Sequence, residues 1–215
     1  KLLRQSSESV NRLEYVIKEE SKQKNQYIPT KTCSPTRELP LAEHYINKDD
    51  NLNPRYTFES FVVGPFNELA HAAAQAVIKN LGIAYNPFFI YGNTGHGKTH
   101  LIQAIGNAVK AVDPSKKIFY LTSEKFQNDF VSSMLANNIS QFKDKYRKYD
   151  MLIMDDIQFL SGKEKTQEEL FHLFNTMKDS NKHIVFSSDK HPNFITGLED
   201  RLKSRFAAGM VIDIP

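Results

Sequence analysis

The segment Gly92-Asn-Thr-Gly-His-Gly-Lys-Thr99 has the residue types and spacing of a loop that holds phosphate groups. It fits the pattern G-x-x-x-x-G-K-[ST] at every fixed position, and it follows an apolar strand and opens a helix. Glycines let successive backbone N–H groups point inward, and a helix N-terminus adds positive potential. The pattern predicts that the chain binds ATP with Mg²⁺, and the alternative is a glycine-rich turn without a ligand. The residues expected to hold the phosphates are Gly92, Gly95, Gly97, Lys98 and Thr99.

Carboxylates follow two other apolar runs. Asp155 and Asp156 come directly after Met151–Met154. We expect Asp155 to bind Mg²⁺ together with the Thr99 hydroxyl, and Asp156 to orient the water that attacks the γ-phosphate. Asp156 is also suited to cap the turn that follows it. Asp189 ends the run that begins at Ile184, where a polar residue either reads the γ-phosphate or forms a plain turn.

Arg201 and Arg205 are spaced i, i+4 and therefore share one helix face, with Lys203 between them. A surface face of salt bridges is the ordinary interpretation of this spacing. The sharper one is an arginine finger that reaches the ATP of a neighbouring molecule, for which the planar guanidinium is suited.

The composition is that of an ordinary globular protein, with 40% hydrophobic and 25% charged residues. A formal net charge of +3 is too small to indicate nucleic acid by itself. Cys33 is the only cysteine, so an intrachain disulfide is excluded. No apolar run approaches the roughly 20 residues that span a bilayer. We expect a cytoplasmic protein, and we expect this chain to be a fragment because it lacks an initiator Met.

Helical and strand patterns alternate along most of the chain, which predicts an α/β fold with a parallel sheet covered on both faces. Asn67 and Ser123 are expected to cap the helices that they precede. The predicted helices lie at 67–81, 98–112, 123–136, 139–147, 163–178 and 199–206. The predicted strands lie at 87–91, 117–121, 151–154, 183–187 and 210–212.

The N-terminal quarter differs from the rest. Apolar residues within 1–20 fall at helical spacing and predict a short amphipathic helix. Residues 21–52 are polar and proline-containing, which is typical of a disordered linker. The globular domain is therefore expected at 53–215.

Five longer stretches of residues 53–215 resemble the DnaA family of bacterial replication initiators, which are AAA+ ATPases. These stretches are Tyr56–Gly64, Gly97–Leu101, Asp155–Phe159, Gln167–His172 and Glu199–Phe206. The resemblance implies a P-loop AAA+ core with a five-stranded parallel sheet, lacking its lid and the C-terminal helix-turn-helix domain. It also implies that residues 1–20 are the tail of an N-terminal interaction domain.

The resemblance further implies roles for individual residues. Asp189 matches the family's sensor 1 position, Arg205 the arginine finger, and Arg201 a second arginine at the same interface. An adenine pocket would include Val62, Val63 and Asn67. Single-stranded DNA would be contacted by Val131, Lys163 and Lys165.

The implied function is ATP-dependent initiation of chromosome replication: binding of ATP, assembly on the origin and promotion of strand opening. Hydrolysis would be slow and would act as a switch. The implied partners are origin DNA, further copies in a right-handed filament, the replicative helicase through the N-terminal domain, and acidic phospholipids. A helicase loader or a regulatory AAA+ paralogue is the alternative. A metabolic P-loop kinase is disfavoured because no segment supplies an acceptor pocket.

Three positions depart from the family pattern. Asn93 and His96 stand where the phosphate loop usually has Gly and Leu, and Asn tolerates a positive φ better than most residues. Lys165 stands where Arg is common, which keeps the charge but loses the planar fork.

Overall fold

A computed structural model describes residues 49–215. The helix predicted within 1–20 and the predicted linker up to residue 48 lie outside the described residues. Asp50 and Leu52, at the end of the predicted linker, are buried, and the Tyr120 N–H donates to the Asp50 carbonyl at 2.8 Å. Contacts with the domain therefore begin before residue 53.

Five parallel strands form one sheet, as predicted. In chain order they are β1 (Phe88–Gly92), β2 (Ile118–Thr122), β3 (Met151–Asp155), β4 (His183–Ser188) and β5 (Met210–Ile214). Their order across the sheet is β2-β3-β4-β1-β5, and every neighbouring pair is parallel. Because all strands run the same way, their carboxyl ends meet at one edge, where α/β sheets bind ligands.

Within residues 49–215, six α-helices cover the two faces of the sheet. They are α1 (Glu68–Lys79), α2 (Lys98–Val112), α3 (Ser123–Leu135), α4 (Ile139–Arg147), α5 (Glu164–Asp179) and α6 (Asp200–Ala207). The apolar side chains of α1 and α2 pack with one set of strand residues, and those of α3 to α6 pack with the alternate set. This three-layer arrangement buries both faces of the strands, which explains why they are continuously apolar. None of the helices within residues 49–215 is both long and apolar enough to span a membrane.

The two predicted helix caps are corrected by the structure. Thr122, not Ser123, caps α3, because its side chain accepts a hydrogen bond from the Lys125 N–H at 3.3 Å. The Ser123 hydroxyl instead donates to the Asp156 carbonyl at 2.5 Å. Asn67 precedes α1 but makes no side-chain capping bond to it. Both side chains therefore form hydrogen bonds with loop residues and not with the first turns of their own helices.

Candidate nucleotide-binding site

The loop Gly92–Thr99 connects β1 to α2 at the carboxyl edge of the sheet. Gly97 occupies the left-handed region at φ 84°, directly before α2. A Cβ at Gly92 would lie 2.1 Å from the Ile214 carbonyl oxygen, so only glycine fits beside the end of β5. His96 Nδ1 lies 3.1 Å from the same oxygen. The loop is therefore shaped by glycines where the sequence predicts them, and it is anchored to β5.

Lys98 is buried at the mouth of this loop. Its Nζ donates to the carbonyl oxygens of Gly92 at 2.7 Å and Asn93 at 2.9 Å. Within residues 49–215 no carboxylate forms an ion pair with this ammonium group. A buried ammonium group without an ion pair is costly, even though the Asp156 carboxylate attracts it from a longer distance, and an anion bound at the loop would offset that cost.

Asp155, the last residue of β3, is buried where three other elements meet. Its Oδ2 accepts hydrogen bonds from Thr99 Oγ1 at 2.7 Å and from the Tyr120 hydroxyl at 2.9 Å. Its other carboxylate oxygen accepts from the Ser187 hydroxyl. Burial, followed by the nearby Asp155 charge, raises the pKa of Tyr120, which keeps the phenol protonated as a donor. The pairing of the Asp155 carboxylate with the Thr99 hydroxyl supplies oxygen ligands that suit Mg²⁺.

Asp156 follows in the left-handed conformation, with φ 59°. Its Oδ1 accepts from Gln158 Nε2 at 2.9 Å, and its N–H donates to the Ser187 hydroxyl at 3.0 Å. It makes no side-chain capping bond to the 3₁₀ turn that follows, so the capping alternative is not supported. Burial is the main cause that raises the pKa of Asp156, and the neighbouring carboxylates of Asp155 and Asp189 add to it. A raised pKa suits a carboxylate that accepts a proton from water.

Lys98, Thr99 and Asp156 line one cavity of about 550 Å³, whereas Asp155 is not part of its lining. It is lined by Gly95, Gly97, Lys98 and Thr99 of the loop and by Asp156 and Asp189 across from it. Asp189 follows β4 and uses its N–H to donate to Gln158 Oε1 at 3.3 Å. In the described part of the chain its Oδ1 is buried without a hydrogen-bond partner. An unsatisfied acceptor at this edge is consistent with a residue that senses a bound group.

A second cavity of about 460 Å³ is also lined by residues of the loop. Val62 and Asn67 contribute to its lining, together with Gly95, but Val63 does not. Asn67 supports Val62: its Nδ2 donates to the Val62 carbonyl at 2.9 Å, and its Oδ1 accepts from the Gly64 N–H at 2.8 Å. Val62 is 80% exposed, which leaves an apolar surface for a flat ring.

Arg201 and Arg205 lie on α6 and contribute nothing to the lining of either cavity. Arg201 Nε donates to Glu199 Oε2. Among the residues described, the Arg205 guanidinium group has no hydrogen bond or ion pair, and its carbon atom lies 5.5 Å from the centre of the Phe171 ring. The structure thus brings Lys98, Thr99, Asp155, Asp156 and Asp189 together and leaves the two arginines on a separate surface.

The residues expected to contact DNA are all accessible. Val131 lies on α3 and is 41% exposed. Lys163 directly precedes α5 and Lys165 lies in its first turn, and both are exposed.

Four residues with a part in these arrangements have no role in the predictions. Tyr120 and Ser187 hold Asp155, Gln158 bonds Asp156 and Asp189, and Phe171 contacts the arginines. A hydroxyl in an otherwise apolar strand is a weak signal for the first two, because many strands carry a tyrosine or serine. Phe171 lies at helical spacing and is indistinguishable from a core residue by sequence.

The family model described as the bacterial DnaA ATPase domain matches residues 52–213. The chromosomal replication initiator protein DnaA of Citrifermentans bemidjiense is 55% identical over 164 residues, which cover 76% of this chain and 36% of the relative. The chain spans little more than a third of the length of that relative.

Solved structures of DnaA proteins are also similar to this chain in sequence and in fold. Domain III of Thermotoga maritima DnaA is 52% identical with a TM-score of 0.75, over 76% of this chain and 68% of that one. A replication initiator DnaA bound to AMPPCP and single-stranded DNA is 45% identical with a TM-score of 0.74, over 77% of this chain and 51% of that one. The DnaC helicase loader is 13% identical with a TM-score of 0.66, over 75% of this chain and 99% of that one, which is a likeness of fold alone.

Proposed function

Because this chain belongs to the family of bacterial DnaA ATPase domains, we propose that it is the nucleotide switch of a chromosomal replication initiator. In this proposal the chain binds ATP with Mg²⁺, associates with further copies on origin DNA and promotes strand opening. The observation that carries the proposal is the separation of two half-sites. Lys98, Thr99 and Asp156 line one cavity, whereas Arg205 lies outside it and its guanidinium group has no anionic partner within residues 49–215.

The nucleotide half would bind ATP as follows. The loop N–H groups and Lys98 hold the phosphates, and the bonds from Lys98 to the Gly92 and Asn93 carbonyls keep the ammonium in place beforehand. Thr99 and Asp155 would hold Mg²⁺, which when bound would neutralise phosphate charge. Val62 offers the apolar contact for adenine.

Hydrolysis by a single chain would be slow. Asp156 is fixed by Gln158 and Ser187 and orients the attacking water, but no arginine of residues 49–215 lines the cavity. An arginine finger from a neighbour stabilises the charge that develops during phosphoryl transfer. Arg205 of an adjacent copy would provide it, so ATP would join two copies and hydrolysis would release them. This is the behaviour of a switch more than of a metabolic enzyme.

Single-stranded DNA is the proposed polymer ligand of this domain, supported by the 45% identical initiator solved with single-stranded DNA. Val131 would contact the strand, and Lys163 and Lys165 would contact its phosphates, so affinity should fall with salt. The predicted contacts with the replicative helicase and with acidic phospholipids stay predictions.

The test is association of the full chain on a single-stranded oligonucleotide in ATP and in ADP, followed by sedimentation velocity. ATP is expected to give multimers on the strand and ADP to give mainly single chains. Equal association in both nucleotides would contradict the proposed switch.

Val131→Ala tests the DNA contact itself. It is expected to weaken single-strand binding by about threefold to tenfold through lost apolar contact, with a smaller loss for duplex. Val112→Ala, at an exposed valine at the end of α2, is the matched control. Equal losses for single strand and duplex would count against a single-strand contact at α3.

A further inference from the structure

We propose that Phe171 is a positioning residue that holds Arg205 ready for the ATP of a neighbouring copy. The proposal rests on the proposed function, since it assigns a support to the arginine of the shared site. Phe171 does not touch the nucleotide in this scheme. It acts only through the guanidinium group that lies over its ring.

Phe171 is a fixed surface because one side of it belongs to the core. It lies on α5, is partly buried, and packs against the large apolar cluster under α3 to α6. Its ring centre lies 5.0 Å from the guanidinium carbon of Arg201 and 5.5 Å from that of Arg205. Both distances lie within the range of attraction between a cation and an aromatic face. One ring thus lies against both arginines of α6 and restricts the rotation of each side chain.

The charge around the ring is unevenly balanced. Arg201 donates to Glu199, which neutralises part of its charge. Arg205 is partly buried and has no carboxylate partner within residues 49–215. Of the two guanidinium groups, Arg205 is therefore the one with all of its N–H donors available to an anion from outside.

An aromatic ring and a carboxylate can both orient an arginine side chain, but they differ in whether the guanidinium N–H donors stay available. A carboxylate occupies the N–H donors and lowers the net charge, so a phosphate would have to displace it. An aromatic face attracts the cation through its π-system and leaves the N–H donors unbonded. Phe171 can therefore reduce the rotamer freedom of Arg205 before association while leaving its donors free, which lowers the entropy lost on binding.

Mixed pairs of full chains test this role directionally. One partner, the donor, carries Lys98→Ala and supplies Arg205 without an intact phosphate loop of its own. The other, the acceptor, carries Arg205→Ala and supplies only the phosphate loop. ATP-dependent association of the labelled pair is measured by fluorescence energy transfer, with thermal unfolding of each chain measured alongside.

Phe171→Leu in the donor is expected to weaken association by about threefold to thirtyfold, the range for lost cation–π contacts. The same substitution in the acceptor should change association by less than about twofold, because the acceptor carries Arg205→Ala and its Phe171 has no Arg205 guanidinium group to position. Phe171→Tyr in the donor, which keeps the aromatic face, should restore association. A structural role in folding would weaken both positions alike and would overturn the proposal.

The outcomes separate this proposal from the proposed function. If the pair with intact Phe171 does not associate in ATP, the shared site itself is wrong, and Phe171 loses its role with it. If that pair associates and Phe171→Leu in the donor has no effect, only the positioning role is wrong.

Discussion

The candidate nucleotide cavity contains Lys98 and Asp156, and the arginine face of α6 carries Arg201 and Arg205. The side chains of these two regions are fixed by different kinds of contact. At the cavity, Asp155 accepts hydrogen bonds from side chains on α2, β2 and β4, and Lys98 donates to two carbonyls of its own loop. At the arginine face, the Arg205 guanidinium lies over the ring of Phe171 and forms no hydrogen bond or ion pair within residues 49–215. The cavity is built from strand ends and their loops, whereas the face is one side of the eight-residue helix α6.

This difference follows from what each region would bind. A site that holds a small ligand within one chain gains affinity when its groups are fixed before binding. A group that must meet a ligand on another molecule keeps its donors unbonded until the two surfaces meet. The expected consequence is that substitutions at the cavity affect the single chain, whereas substitutions on α6 affect only association.

The largest effect is expected from Lys98→Ala. Removal of the ammonium group of the loop should weaken ATP binding about 100-fold or more, since charged hydrogen bonds to phosphate are lost. Binding of a fluorescent ATP analogue measures the affinity, with Lys79→Ala, an exposed lysine on α1, as the control. Micromolar affinity retained by Lys98→Ala would mean that the loop is not the phosphate site.

Arg205→Ala should separate the two regions most clearly. ATP-dependent association on DNA is expected to fall about tenfold or more, because the charge on the transferred phosphate loses its partner from the next copy. ATP affinity of the separate chain depends on the cavity and should remain. Lys203→Ala, on the same helix, is the matched control. Association that survives Arg205→Ala would place the shared contact elsewhere.

Tyr120→Phe tests whether the cavity depends on its supports. The substitution removes one donor to the buried Asp155 and keeps the ring, so affinity for ATP with Mg²⁺ should fall about threefold to tenfold. Affinity measured in EDTA should change less, because the metal ligand is the group affected. Tyr85→Phe, at an exposed tyrosine, is the control. Equal losses with and without metal would argue against support of Asp155.

The two regions also differ in how far their residues could be predicted from the sequence. The positions of the loop Gly92–Thr99 and of the carboxylates at the strand ends were predictable, because the motif fixes residue types at fixed spacing and the parallel sheet brings strand ends together. The five strands and six helices were predicted with small differences at their ends. Contacts between distant segments could not be predicted, since the residues around Tyr120 do not indicate its hydrogen bond to Asp155 and those around Phe171 do not indicate its contact with Arg205. The caps failed for the same reason: Ser123 and Asn67 found partners outside their own helices.

The last prediction concerns the opposite end of β4, away from both regions. His183 is fully buried there, and its Nδ1 accepts a hydrogen bond from the Gly82 N–H at 3.1 Å. Burial lowers its pKa from 6.5 to about 4. Between these values the unfolded chain binds more protons than the folded one, so the free energy of unfolding should fall as the pH falls from about 6.5 towards 4.

The full loss is expected to be about 3 kcal/mol, since a tenfold change in a proton-binding constant corresponds to about 1.4 kcal/mol. Denaturant unfolding at several pH values measures it. His183→Asn keeps an acceptor near the same position without a titratable ring, and should flatten this part of the pH dependence. His172→Asn, at an exposed histidine on α5, should leave it unchanged. If His183→Asn leaves the dependence of the unfolding free energy on pH unchanged, groups other than His183 cause the acid sensitivity. A loss of ATP binding at low pH would then be attributed to protonation of Asp156 in the cavity and not to destabilisation of the sheet at His183.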